Sequence, residues 1–123
     1  LRKLTMKKID KDKLKLMKDA LGIKTEMGRQ ALACACEAVQ LLDSKQQDYG
    51  SGNINATKEL GVAVRLQDKV SRLLNLLEKE MKIKGHAEAL LAEINNHESL
   101  EDTYLDIANY GLIGVLLRRR LWE

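Results

Sequence analysis

The chain has 123 residues, 45% apolar and 32% charged, which is the balance of one globular domain and excludes an intrinsically disordered chain. It contains no proline and no phenylalanine, and only 3% of its residues are aromatic. That palette argues against a sheet core and leaves Leu, Ile, Val, Ala and Met to pack helices without a proline break. The net charge is +3, but it is gathered at the ends. Eight cations from Arg2 to Lys18 face only Asp10 and Asp12, and Arg118-Arg119-Arg120 is the last basic run. Such runs are read either as solvated helix ends or as contacts to nucleic acid or a membrane surface, and no aromatic residues interleave them to sharpen the second reading.

No export signal or run of eighteen apolar residues is visible, so the expectation is a cytoplasmic chain with no membrane partner. Met6 can serve as a native start, with residues 1–5 lying upstream of it. Cys34 and Cys36 stand two positions apart, where helical geometry points them in different directions. They are read as small buried hydrophobes and not as a disulfide.

The pattern predicts an all-α fold, a helical bundle of four to five helices in a single domain over 1–123. Residues 1–24 form a basic N-terminal helix, and residues 25–123 form the core bundle. Asp10 caps the first helix, Leu14, Met17 and Leu21 give its apolar stripe, and Gly22 stops it. Thr25 opens a second helix to about Gln47, with Ala31, Leu32, Ala35, Val39 and Leu42 facing the core. Asp48-Tyr49-Gly50-Ser51-Gly52-Asn53-Ile54-Asn55 has no helical period and reads as a break.

Thr57 caps a third helix to about Lys84, stopped by Gly85, with Val62, Leu66, Val70, Leu73 and Leu77 as its stripe. A short helix from His86 to Ile94 and a turn at Asn95-Asn96-His97 follow. Ser99 then caps a last helix to about Leu121, with Asp102 near capping-box spacing.

Two polar rows carry the chemistry. On the last helix Asp102, Asp106 and Asn109 fall within about 60° of one another, on a segment otherwise apolar on most sides. Aligned carboxylates there require a partner or a metal. They either cap and satisfy neighbouring backbone or form a site. On the third helix Arg65, Asp68 and Arg72 share a face, with Lys69 beside them. They form either a surface ion-pair ladder or a guanidinium fork for phosphate oriented by Asp68. The 48–55 segment matches no phosphate-loop motif, His86 and His97 lack metal-ligand spacing, and no Ser/His/Asp or Cys/His set is present.

Three segments in order resemble the nucleotide modification associated domain 1 family, small helical proteins frequent in phages and prophages. They are Asp48-Tyr49-Gly50 with its Ser/Gly/Asn continuation, Arg65-x-x-Asp68-Lys69-x-x-Arg72, and the run from Glu98 to Tyr110. The resemblance covers about residues 45–118 and implies a link to nucleotide or DNA-base metabolism. A looser likeness is to the all-α nucleoside triphosphate pyrophosphatases, whose packed helices hold Mg²⁺ through acidic motifs. Here their Glu-Glu-x-x-Glu motif is missing, and Asp102-x-x-x-Asp106 stands in place of their second.

The resulting expectation is a nucleotide-processing protein, with Mg²⁺-assisted hydrolysis of a nucleoside triphosphate as its reaction. Glu98, Glu101, Asp102 and Asp106 would hold the metal. Asp106 and Asn109 would act at the reacting group, Arg65, Lys69 and Arg72 would take the phosphates, and Asp48, Tyr49 and Gly50 would contribute from the loop. A non-catalytic nucleotide-sequestering protein and a structural or interaction protein are the alternatives. The apolar face of the last helix around Ile107, Gly111, Gly114 and Val115 predicts a homo-oligomer.

Overall fold

The computed structural model describes residues 9–82 and 87–123, with backbone alone for 87–95. The described residues are helical, with no strand. The elements are α1 (Lys11–Leu21), α2 (Glu26–Tyr49), α3 (Gly52–Asn55), α4 (Lys58–Lys82) and α5 (Ala87–Arg118). They fall into two compact units, Leu1–Gly50 and Ser51–Glu123. Among the described residues no helix is long and apolar enough to cross a membrane.

In the first unit the caps lie where the sequence puts them. Asp10 takes an extended conformation, and its carboxylate accepts the Asp12 N–H at 2.7 Å. At the other end Gly22 adopts the left-handed conformation (φ 68). Its N–H reaches Asp19 O, while the Ile23 N–H reaches Lys18 O at 3.0 Å. These two bonds satisfy carbonyls the helix end leaves orphaned. Thr25 Oγ1 accepts the Gly28 N–H at 2.9 Å to start α2.

α2 then runs to Tyr49, past the expected stop at Gln47, and ends on Gly50 at φ 65. Its buried row is Ala38 and Leu41, turned away from the expected Ala31–Val39 line. Val39 is exposed, Cys34 is exposed and Cys36 is half-buried, so the cysteines are not core residues. Leu14 and Met17 of α1 are half-buried as expected, whereas Leu21 is exposed.

The second unit is a helical hairpin with a one-turn helix at its open end. Residues 52–55, expected to be irregular, form that turn, and Ile54 is its buried anchor. α4 and α5 run antiparallel. Contacts join Leu76 to Asn96, Lys69 to Asp106 and Glu59 to Arg118. Numbers fall on one helix as they rise on the other. The expected stops at Lys84 and Gly85, His86 and the basic residues Arg2 to Lys8 lie outside the described residues.

The expected turn at Asn95–His97 is absent, because α5 is continuous from Ala87 to Arg118. Ser99 is therefore an interior helical residue, and no capping box exists at Asp102. Asn96 is buried, and its amide donates to Leu76 O at 3.1 Å. A residue type that favours turns is thereby used across the hairpin. α5 ends at Arg118, short of Leu121.

Candidate functional site

One residue from each side meets in the seam between α4 and α5, Lys69 of α4 and Asp106 of α5. On α4, Val62 is buried and Leu66, Lys69, Leu73 and Leu77 are half-buried, while Val70, expected in this stripe, is exposed. Lys69 thus takes a seam position. At about 100° per residue the seam steps from 66 to 69 to 73, and position 70 rotates outward.

Among the described side chains of α5 the buried residues are Asn96, Leu100, Thr103, Asp106, Asn109 and Ile113. Four of these six carry polar side chains, where each apolar alternative would contribute roughly 1.5–3 kcal/mol by burial. A seam so built is held by directional contacts. Thr103 Oγ1 donates to Ser99 O at 2.7 Å. Lys69 Nζ lies 3.0 Å from Asp106 Oδ2, with the Asp106 side chain only 6% exposed and that of Lys69 28%. The buried Asn109 Oδ1 receives no hydrogen bond from the described residues, although Asn109 is otherwise engaged with its surroundings.

The remaining expected residues are distributed around this pair. Arg65 is half-buried, and its Nη2 donates to Asn53 O at 3.3 Å, tying α4 to α3. Arg72 and Asp68 are exposed on the same helix. Asp102 is half-buried one turn before Asp106. Glu98 is half-buried, and exposed Glu101 lies 2.9 Å from His97 Nε2. Among the described residues no group of three or more His, Cys, Asp or Glu side chains is placed to hold a metal ion. Asp48, Tyr49 and Gly50 end α2 in the first unit, all exposed.

Open grooves lie along this unit. One, of about 400 Å³, lies between α4 and α5 and is lined by Val62, Leu66, Gly111, Gly114, Arg118 and Arg119 among others. The other, of about 570 Å³, runs along α4 past Leu60, Val64, Arg65 and Asp68.

Sequence reasoning separated Lys69 from the carboxylate row it joins. The signal that joins them is arithmetic: in an antiparallel hairpin, paired positions have a nearly constant sum, and Leu76–Asn96 and Glu59–Arg118 bracket Lys69–Asp106. Arg118, Glu59 and Trp122, whose Nε1 donates to Ser51 O at 3.3 Å, organise the open end, and of these the sequence singled out only Arg118, within its basic run.

Comparison with known proteins gives no match to any protein family, curated protein or solved structure.

Proposed function

We propose that the Ser51–Glu123 unit binds a nucleotide, with its phosphates against the row Arg65, Lys69, Arg72. The observation that carries this reading is the Lys69–Asp106 pair buried in a seam. Desolvating two charges costs several kcal/mol per ion, and a well-packed apolar pair is often more stable. The pair therefore has a use beyond stability. Exposed Arg72 and the ammonium of Lys69 lie within one turn of each other on α4, so both can reach one phosphate group. The resemblance of Arg65–Arg72 and Glu98–Tyr110 to the nucleotide modification associated domain 1 family supports the same ligand class.

Magnesium suits this reading only in the form that travels with phosphates. Mg²⁺ keeps most of its waters and takes one or two protein carboxylates, which Asp102 and Asp106, one turn apart on α5, would supply. Such an ion would neutralise phosphate charge and lower the pKa of bound water. The chain's own part is to orient the phosphates through Arg72 and Lys69 and to exclude water from the Asp106 side of the seam.

Calorimetry with a panel of deoxynucleoside triphosphates, with Mg²⁺ and then with EDTA, tests the reading. Binding lost in Arg72→Ala is the expected result. Phosphate or pyrophosphate release with Mg²⁺ makes the protein a hydrolase. Binding in EDTA without turnover makes it a sequestering protein. No binding across the panel overturns the proposal and leaves the polar seam as a device that fixes helix register, the role favoured by the Asn96–Leu76 bond.

Self-association through α5 belongs to the same proposal. A Cβ placed on Gly111 or Gly114 meets nothing within 4 Å, and Leu112 and Val115 beside them are exposed. Each helical glycine costs about 1 kcal/mol, and among the described residues no packing requires either one. A second helix approaching closely would use that space.

A further inference from the structure

The open end of the hairpin gathers cations that the nucleotide reading leaves unused. Lys58 begins α4 and Arg118 ends α5, and the Glu59–Arg118 ion pair (3.0 Å) brings these two helix ends together. Arg119 and Arg120 follow directly, all exposed. Cations at the end of α5 are favoured by its dipole, so Arg118 is accounted for by that field and by Glu59. Lys58 is not, because a cation at a helix start is disfavoured by the same field. Among the described residues Lys58, Arg119 and Arg120 form no ion pair.

The backbone here is fixed in an unusual way. Lys58 (φ 52) and Arg120 (φ 56) are the non-glycine residues with positive φ among those described, and both lie at this end. Arg120 occupies the position where glycine commonly ends a helix. Its N–H bonds to Leu117 O at 3.1 Å, and the Leu121 N–H bonds to Leu116 O at 2.8 Å. Left-handed conformation in residues other than glycine is costly and persists where surrounding structure enforces it, most often at functional positions. Trp122 is held back by its bond to Ser51 O, so it is tied to the protein and not presented as a membrane anchor.

We propose that this end of the hairpin, through Lys58, Arg118, Arg119 and Arg120, binds the phosphate backbone of a nucleic-acid duplex. Four cations oppose Glu59 and Glu123 there, and the arginine forks suit phosphate oxygens. The proposal is independent of the nucleotide reading, since none of the four belongs to the Arg65–Arg72 row.

Fluorescence anisotropy of the full chain with a labelled duplex of mixed sequence tests it, read as affinity against salt. The logarithm of affinity should fall with the logarithm of salt by about 0.9 for each phosphate neutralised. Arg120→Gly removes one cation while giving the left-handed position its natural residue, so thermal unfolding should hold and the salt slope should drop by about one. The triple change Lys58→Ser, Arg119→Ala, Arg120→Gly should weaken binding at least tenfold, and replacing both arginines with lysine should retain most of it. Native affinity and slope in the triple variant would overturn the proposal. So would absence of duplex binding, whether or not phosphatidylserine vesicles bind in its place.

Discussion

Lys69 and Asp106 meet at 3.0 Å in the seam of the α4–α5 hairpin, and the two partners are unequally buried. Removing the lysine takes the cation away from a carboxylate that is 6% exposed, whereas removing the carboxylate leaves an ammonium with some access to water. Lys69→Met should therefore cost roughly 3 kcal/mol in urea unfolding, the lower end for breaking a buried pair, and Asp106→Asn about 1 kcal/mol. The double variant Lys69→Met, Asp106→Leu should recover most of the loss. Equal losses in the two single variants would show that the pair is not effectively buried.

Gly61 is required by its neighbour. A Cβ at this position would overlap Thr57 Oγ1 and crowd Thr57 Cβ. Gly61→Ala should destabilise by about 1–3 kcal/mol despite alanine's better helix propensity. Adding Thr57→Ala should relieve the overlap, and a double-mutant cycle followed by circular dichroism should give a coupling energy of about 1 kcal/mol or more.

Gly111 and Gly114 present the opposite case, since open space surrounds both. Replacing both with alanine should raise the unfolding free energy of the isolated chain by about 1–2 kcal/mol through helix propensity alone. If α5 packs against a second copy at these glycines, light scattering should show the assembly falling to monomer mass in the same variant. A native protein of monomer mass would remove the self-association proposal.

Glu26 gives a pH signature at the start of α2. Its hydrogen bonds from Arg29 and then Gln30 hold the carboxyl well below its ordinary 4.5, at about 2. Arg29 is correspondingly pushed upward by the same bond. Because the folded value is depressed, any stabilisation is complete above about pH 4.5 and is lost as pH falls towards 2. The group is fully exposed, so the effect on stability is small and the titration itself is the measurement. Carbon-detected NMR should place the midpoint near 2 and return it towards 4.5 in Arg29→Ala.

Much of the architecture was legible because it is locally determined. Asp10, Gly22 and Thr25 act within a few residues of themselves, and their caps form as read. The buried Asp106 and Asn109 were also legible, from their place on an apolar helix. What was not legible depends on partners distant in sequence. Asn96 looks like a turn residue until Leu76 O, twenty positions away, supplies its bond. Lys69 reads as a phosphate-binding charge beside Arg65 and Arg72 until the seam carries it to Asp106. The α2 stripe was displaced because Ala and Leu occur on several of its sides, so composition alone does not say which side is covered.

Trp122 and Ser51 stand seventy-one positions apart, yet the indole N–H of one rests on the carbonyl of the other. The beginning and end of the hairpin unit are thus neighbours in space. Joining Glu123 to Ser51 through a short glycine linker and opening the chain elsewhere should preserve the fold, as circular permutation does when termini adjoin. By the same geometry the unit could be inserted whole into a surface loop of another protein, entering and leaving at nearly one point.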